Sequence, residues 1–268
     1  MKITSALSII IVALISIVFV SCKIQNIKAP ELKFTSAPTA SPEPPKETIE
    51  STSYPILMYH HVKNCDENCD DIEQGLSVSN SDFEAQMKYL SDNGYKTIFL
   101  DDLFYKSDAK TLALTFDDGY LDNLSEAAPI LKKYNLSATL FVICDSVGTD
   151  RYLNWEQIKQ LSDQNWQIGA HTKTHPNLTT LSKEDMEDQI ASCKTEIEKN
   201  IGKPVKFFSY PAGKFDDTVI SVVKDSGFSG AVTTVSGTKN NKNNPFELKR
   251  LRINGSDSLD GFIYKVSE

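Results

Sequence analysis

Two short motifs carry the side chains of this sequence that are best suited to chemistry. Asp117 and Asp118 are consecutive and precede Gly119, and His171 and His175 are separated by three residues. Imidazole nitrogens and a carboxylate oxygen are ligands that Zn²⁺ and similar ions take in catalytic sites, with positions left for water and substrate. We therefore predict that Asp118, His171 and His175 bind one divalent ion, Zn²⁺ in the first place, with Co²⁺ or Ni²⁺ as alternatives.

Asp117 has a different predicted role from its neighbour. Successive side chains leave the end of a strand in different directions, so Asp117 and Asp118 would not face the same ion. A carboxylate beside a metal-bound water can accept its proton as a general base. An Asp-Asp-Gly sequence alone is typical of a turn, and one His-x3-His pair alone is typical of a surface. Both motifs together, in a chain with only 4 histidines, favour a catalytic site.

Composition limits the class of protein. The chain has 268 residues, of which 40% are hydrophobic and 24% charged, so it is neither disordered nor a polytopic membrane protein. Its formal net charge of −8 argues against a nucleic-acid partner. The 5 cysteines are an odd number, so at least one is free or modified.

The first fifty or so residues are predicted to serve export rather than folding. A positively charged start precedes an apolar run from Ala6 to Val20, as in secretory signals. Ser21-Cys22 then resembles a lipobox, so residues 1–22 are predicted to be a signal peptide with Cys22 as the lipidation site; an uncleaved anchor is the alternative. Residues 23–52, rich in Pro, Ser and Thr, are predicted to form an extended tether. Both alternatives predict an exported protein anchored to the outer face of the cytoplasmic membrane or cell envelope.

Residues 53–268 show apolar runs that alternate with amphipathic helical patterns. The predicted strands are Ile56–Tyr59, Lys96–Leu100, Thr111–Phe116, Ala138–Ile143, Gln167–Ala170, Phe207–Tyr210, Ala231–Val235 and Leu251–Ile253. Helical patterns follow Ser81 up to Gly94 and span Ser125–Tyr134, Asn154–Gln164, Ser182–Asn200 and Asp216–Asp225. Such alternation predicts α/β structure with parallel strands and crossover helices. We predict one catalytic domain, a distorted (β/α) barrel of seven or eight strands, with a doubly wound open sheet as the alternative.

The chemical motifs lie at the ends of predicted strands. Tyr59-His60-His61, Asp117-Asp118, the segment from His171 to His175 and Tyr210-Pro211-Ala212 each follow a strand, and two of these ends contain every histidine. In (β/α) barrels the reacting groups lie at the carboxyl ends of the strands. The barrel prediction therefore brings these segments to one face.

The two motifs also resemble those of a known family. Thr115-Phe116-Asp117-Asp118-Gly119 with His171-Thr172-x-x-His175-Pro176 resembles the polysaccharide deacetylases of carbohydrate esterase family 4, the NodB-homology domain. The resemblance extends from about Pro55 to Ile253. It implies a distorted (β/α) barrel and metal-dependent removal of N- or O-acetyl groups from polymers of amino sugars or xylose. It also implies that the Asp-His-His set holds the metal and that Asp117 is the base.

Three positions depart from the family pattern. Ser209 stands where the family usually has Arg, Asn154 precedes Trp155 where Asp is usual, and Arg250–Ile253 lacks the late histidine that serves as general acid. The segment Pro55–Val62 resembles the branch that deacetylates extracellular poly-N-acetylglucosamine. In that branch the first histidine of the segment is taken as the acid, which assigns this role to His60 and leaves His61 as a structural neighbour.

The resemblance implies further substrate contacts. It places an oxyanion-binding backbone N–H at Ala212, after Pro211. Trp155 and Tyr210 are each either a wall for a sugar ring or a core residue. Arg252 either orients the base in place of the missing Arg or pairs with a surface carboxylate, and the second is favoured.

The remaining cysteines differ in their surroundings. Cys65 and Cys69 lie in a polar loop and could close a small disulfide outside the cell. Cys144 and Cys193 are predicted to be buried thiols, which behave as small hydrophobic side chains.

The predicted function is deacetylation of poly-N-acetylglucosamine, peptidoglycan or a chitin-like polymer by a protein taken to be a monomer. The alternatives are a xylan O-acetyl esterase and a catalytically silent carbohydrate-binding protein on the same fold. The retained acidic and histidine residues argue against the silent alternative.

Overall fold

The computed structural model describes residues 51–52, 54–67, 69–105 and 110–267. The predicted signal peptide, with Cys22, and almost all of the predicted tether lie outside these described residues. Ser51–Thr52, at the end of the predicted tether, pairs antiparallel with Asn240–Asn241. Within the described ranges, no helix combines the length and the apolar character needed to cross a membrane.

Parallel strands form a closed barrel, which confirms the predicted fold. The strands are β1 Ile56–Tyr59, β2 Thr111–Phe116, β3 Ala138–Val142, β4 Trp166–Ala170, β5 Phe207–Ser209, β6 Gly230–Ser236 and β7 Leu248–Arg252. Each strand pairs with the next along the chain, and β7 pairs with β1 to close the ring. The carboxyl ends of all these strands therefore meet at one face.

The predicted strand Lys96–Leu100 is not a member of this ring. Only Lys96–Thr97 is extended, and it pairs with Thr111 and Leu112 at the start of β2. β1 and β3 pair with β2 only from Ala113 and Thr115 onward, so the start of β2 is free to accept this extra partner. The barrel accordingly has the smaller of the two predicted strand numbers.

Helices surround the barrel. They are α1 Asp71–Leu76, α2 Asn80–Asp92, α3 Ala128–Lys133, α4 Trp155–Asp163, α5 Lys183–Glu187, α6 Cys193–Ile201, α7 Asp217–Asp225 and α8 Leu259–Ser267. The helix predicted over Ser182–Asn200 is present without interruption, as α5, a π turn at Asp188–Ser192, and α6. A π turn widens the helix by one residue and is frequent at functional sites.

Apolar side chains fill both faces of the barrel wall. Neighbouring residues of one strand, such as Ile56 and Leu57, belong to two different buried clusters because successive side chains point to opposite faces. The smaller cluster, with Ala113, Phe141 and Val232, packs inside the ring, and the larger one lies under the helices. The strands thus form a rigid support for the loops at their carboxyl ends.

Two disulfides are present among the described residues. Cys65 and Cys69 are bonded, which settles a pairing that the sequence left open. Cys144 and Cys193 are also bonded, so the prediction of two free buried thiols was wrong. The barrel brings the turn after β3 next to the start of α6, with 5.6 Å between the two Cα atoms. That distance suits a disulfide.

Candidate active site

Asp117 lies at the carboxyl end of β2 and is held by Arg250 of β7. The guanidinium donates from Nη1 to Oδ1 at 2.8 Å and from Nη2 to Oδ2 at 2.7 Å. Both residues are buried. Burial raises the pKa of Asp117, but the charge and hydrogen bonds of Arg250 outweigh it, so this pKa is held well below its usual range. Asp117 is therefore ionised at neutral pH.

Arg250 is itself fully hydrogen-bonded in the barrel interior. Its Nε donates to the carbonyl of Thr233 at 2.8 Å, and Nη1 also donates to Oγ1 of Thr115 at 3.1 Å. The Ser209 hydroxyl accepts from Nη2 at 3.2 Å and faces Oδ2 of Asp117 at 3.3 Å. Multiple hydrogen bonds offset the cost of removing a guanidinium from water. Ser209 stands where the family pattern usually has an arginine. Arg250, on β7, supplies a positive charge beside Asp117 in its place.

The alternative in which Arg252 orients the base is wrong. Arg252 lies two residues further along β7 and is half-buried, whereas Arg250 forms the ion pair with Asp117. Sequence reasoning considered only the more C-terminal arginine as a partner of the base. The one local signal for Arg250 was its place between apolar residues of a predicted strand region. In the structure Leu248, Arg250 and Leu251 are all buried.

Asp118, His171 and His175 form the predicted cluster. One ligand atom from each residue lies within 4.8 Å of the others. His171 places its Nδ1 at 2.7 Å from the carbonyl of Ser209, so Nδ1 is the donor and Nε2 faces Oδ1 of Asp118 at 3.4 Å. A fixed tautomer with a free second nitrogen is the usual arrangement of a metal-binding histidine. Burial, followed by the charge of His171, lowers the pKa of His175, which favours the neutral ring that a metal needs.

The backbone turns sharply at the first ligand. Asp118 has φ 77° and Gly119 has φ 87°, both in the left-handed region. The carbonyl of Asp118 accepts from the N–H of Ile143 at 3.4 Å, and the carbonyl of Gly119 accepts from Leu153 at 3.0 Å. Asp is one of the few residues with a side chain that tolerates this region. The two side chains accordingly have different partners, Arg250 for Asp117 and His171 for Asp118. Their roles as base and ligand stay predictions.

The two neighbouring histidines differ in their surroundings. His60 is buried beside the base, and burial lowers its pKa to about 4 although the charges of Asp117 and Asp118 raise it. His61 places Nδ1 at 2.6 Å from Oδ2 of Asp122. The other carboxylate oxygen of Asp122, Oδ1, accepts the N–H of Val62 at 2.9 Å. These contacts fix the His61 ring, and its expected structural role stays a prediction.

A residue that sequence reasoning missed lies between His61 and the cluster of Asp118, His171 and His175. The ring of Tyr120 stacks on His61 with centroids 3.6 Å apart and on Tyr152 with centroids 4.9 Å apart. Burial, the charge of Asp118 and hydrogen bonds to Asp118 and Tyr152 raise the pKa of Tyr120. Its side chain thus lies beside Asp118, a predicted metal ligand. Its position three residues after Asp117 was the only sequence signal.

Ala212 lies in a tight turn after β5. The turn Pro211–Gly213 has φ 51° at Ala212, a strained value for a residue other than glycine. Gly213 follows with φ 66°, where a Cβ atom would lie 1.9 Å from Oγ1 of Thr234. Close packing on β6 therefore requires glycine and fixes this turn at the same barrel face. Ala212 is exposed and Pro211 is buried.

Tyr210 and Trp155 pack against other parts of the domain. The Tyr210 side chain is fully buried, donates to the carbonyl of Phe246 at 3.0 Å and stacks on Phe215. It is a core residue, so its predicted substrate contact through the ring is wrong. Trp155 begins α4, packs on the core and lines an outer groove with residues of α6 such as Thr195. The structure thus places Trp155 with these helices.

Comparison with known proteins identifies the family. A sequence model of the polysaccharide deacetylase family matches residues 105–231. The Bacillus subtilis (strain 168) polysaccharide deacetylase YxkH is 31% identical over 222 residues, 81% of this chain and 77% of that protein. The chain belongs to the polysaccharide deacetylase family. As a polysaccharide deacetylase it is a hydrolase, so the predicted enzyme class is confirmed.

Two further relatives resemble this deacetylase. The poly-beta-1,6-N-acetyl-D-glucosamine N-deacetylase of Staphylococcus aureus (strain MRSA252) is 27% identical over 253 residues, 84% of this chain and 87% of that protein. The crystal structure of BC0361, a polysaccharide deacetylase from Bacillus cereus, superposes with a TM-score of 0.72 at 31% identity. That match covers 80% of this chain and 68% of the other. The barrel is thus the fold of a solved deacetylase.

Proposed function

We propose that this deacetylase removes N-acetyl groups from an exported amino-sugar polymer with the help of one divalent metal ion. The observation that carries the proposal is the cluster of Asp118, His171 and His175 beside the ionised Asp117. Poly-N-acetylglucosamine is the first candidate polymer because a relative over most of the chain is named for it. Peptidoglycan and chitin-like chains carry the same acetamido group and are the next candidates.

The residues of the cluster fit a metal. Two imidazole nitrogens and one carboxylate oxygen match Zn²⁺, with Co²⁺ or Ni²⁺ as alternatives. When bound, the ion would polarise the acetyl carbonyl and activate a water. Asp117 accepts the proton of the attacking water, because Arg250 keeps its carboxylate charged and fixes its direction.

His60 is the proposed source of the proton for the leaving amine. With a pKa of about 4 its ring is neutral at pH 7, so it must gain a proton during the reaction before giving one away. The negative charge of Asp117 raises the pKa of His60, so the two groups interact. We propose that the proton lost by the water passes from Asp117 to His60, and that His60 donates it to the leaving amine.

The exposed turn at Ala212 is the proposed oxyanion contact. A backbone N–H stabilises a developing negative charge without help from a side chain, so alanine is sufficient there. The left-handed φ of Ala212 indicates that the surrounding structure fixes the shape of this turn.

We also propose that the protein is exported, acts as a monomer and is anchored through its N-terminus. Two disulfides support an oxidising compartment. Lipidation at Cys22 is the proposed anchor, and metabolic labelling with a fatty acid should mark the wild type but not Cys22→Ser. Label retained in that variant would contradict the proposed site.

Acetate release tests the proposed activity. The full chain should release acetate from poly-N-acetylglucosamine oligomers more efficiently than from peptidoglycan, chitooligosaccharides or acetylated xylan, and a chelator should stop the reaction until Zn²⁺ is restored. Preference for xylan would favour the O-acetyl esterase. Binding to a polymer without acetate release would favour the silent carbohydrate-binding protein.

A further inference from the structure

The segment that carries both predicted histidine ligands has an unfavourable backbone. Thr172 has φ 66° and His175 has φ 58°, and neither is a glycine. Left-handed conformations of such residues persist only where the surrounding structure imposes them. The Thr172 hydroxyl accepts the N–H of His175 at 2.9 Å, which closes the segment on itself. We refer to residues 171–175 as the histidine loop.

Gln189 holds the histidine loop from one side. Its Oε1 accepts the backbone N–H of Thr174 at 3.0 Å and that of Lys173 at 3.1 Å. Its Nε2 lies 3.1 Å from Oγ1 of Thr174, and its own carbonyl accepts from the N–H of Lys173 at 3.1 Å. One residue thus contacts two consecutive residues of the loop through its backbone and its side chain.

The turn after β3 holds the loop from the other side. The N–H of Cys144 donates to the carbonyl of Thr172 at 3.1 Å, and the N–H of Asp145 donates to the carbonyl of Lys173 at 2.9 Å. Carbonyl groups on one side and N–H groups on the other are therefore both hydrogen-bonded. The central peptide groups of the loop have fixed directions.

The two supports are joined covalently. Gln189 belongs to the π turn Asp188–Ser192, and Cys193 follows that turn directly. Cys193 is bonded to Cys144 of the opposite support. The disulfide therefore sets the distance between the elements that hold the histidine loop.

We propose that Gln189 is a positioning residue for the metal site and that the Cys144–Cys193 disulfide keeps its turn in place, so that metal affinity depends on both. The inference rests on the proposed metal-dependent function. Without these contacts the loop relaxes from its left-handed conformation, and metal binding must then reorder it. Outer contacts of this kind change metal affinity by about 10- to 100-fold.

Zinc affinity of the full-length chain tests the proposal, measured by competition with a chromogenic chelator. Gln189→Ala should weaken Zn²⁺ binding at least about tenfold. Gln189→Glu keeps the oxygen that accepts both N–H groups and should recover most of the affinity. Ser192→Ala, in the same π turn, is the matched control and should bind like the wild type, since its hydroxyl donates to Asp188 instead of the loop.

The disulfide is tested in the same assay. Cys144→Ser/Cys193→Ser should weaken Zn²⁺ binding by a similar factor, whereas Cys65→Ser/Cys69→Ser should leave it unchanged. Circular dichroism of the metal-free variants checks that each is folded. If the cysteine variant is not folded, Gln189→Ala alone decides the proposal. Wild-type affinity in Gln189→Ala would overturn this inference and leave the proposed function intact. A wild type that binds no Zn²⁺ and no other divalent ion would overturn both.

Discussion

Arg250 and Asp117 form a two-point ion pair in the interior of the barrel, with N–O distances of 2.8 and 2.7 Å. The residues are 133 positions apart in sequence. Their carboxylate and guanidinium are both removed from water. The pair fixes the direction and the charge of the proposed base.

Arg250→Gln should remove most activity and also weaken the fold. Asp117 would remain buried without its cation, so we expect a loss of about 3–5 kcal/mol in the free energy of unfolding. Urea unfolding and acetate release measure the two effects. Arg252→Gln is the matched control, because Arg252 does not form this ion pair. This variant should retain far more of the activity and of the free energy of unfolding. Equal losses in the two variants would contradict the assignment.

Asp117→Asn should abolish turnover while Zn²⁺ remains bound. The amide cannot accept the proton, and general base catalysis contributes about 10²- to 10⁴-fold. Asp118→Asn should instead reduce the metal content, measured by atomic absorption after dialysis. If Asp117→Asn keeps its activity or loses its metal, the division of roles between the two carboxylates is wrong.

His60 should make the metal-free protein less stable in mild acid. Its folded pKa of about 4 lies below the unfolded value near 6.5, so the folded state binds fewer protons between these values. The contribution is present above pH 6.5 and is lost as the pH falls towards 4, by about 3 kcal/mol in total. Urea unfolding of wild type and His60→Asn at pH 7 and pH 4.5 measures it.

The decrease between these pH values should be smaller in His60→Asn. The same decrease in both proteins would show that His60 titrates normally. In the kinetic assay His60→Asn should retain bound Zn²⁺ but release acetate more slowly, and an unchanged rate would remove His60 from the mechanism.

Tyr120→Phe should weaken Zn²⁺ binding without unfolding the protein. The variant keeps the ring that stacks between His61 and Tyr152 but loses the hydroxyl that interacts with Asp118. We expect about a tenfold loss of affinity, the lower end for outer contacts of a metal ligand. Tyr89→Phe, on α2, should bind Zn²⁺ like the wild type. Equal affinity in Tyr120→Phe and the wild type would contradict a role for this hydroxyl.

Much of the fold was predictable because its signals are local. Ile56–Tyr59 and Thr111–Phe116 are short apolar runs, and the structure forms strands with these same bounds. The strand predicted at Lys96–Leu100 is an exception. Its apolar residues are needed for another purpose, since Leu100 is buried in the cluster inside the barrel. Periodicity alone does not distinguish these two uses.

The chemical identity of the site was also readable from the sequence. The proposed roles of Asp117-Asp118 and His171-x3-His175 follow from residue type and spacing, and parallel strands bring their carboxyl ends to one face for topological reasons. The partners of these residues could not be found in this way. Arg250 and Gln189 form hydrogen bonds, and Tyr120 lies beside Asp118, through contacts that depend on the closed ring and its loops.

By itself the sequence determined the barrel class, the deacetylase family and the set of groups that can hold a metal and accept a proton. Only the tertiary structure decided that Arg250 rather than Arg252 faces the base, that Tyr210 is a core residue, and that Cys144 and Cys193 are bonded. The physical reason is the length scale of the interactions. Strand and helix periods, like the two motifs, involve residues that are close in sequence. The Arg250–Asp117 ion pair and the Cys144–Cys193 disulfide depend instead on distances that are set when the strands close into the barrel.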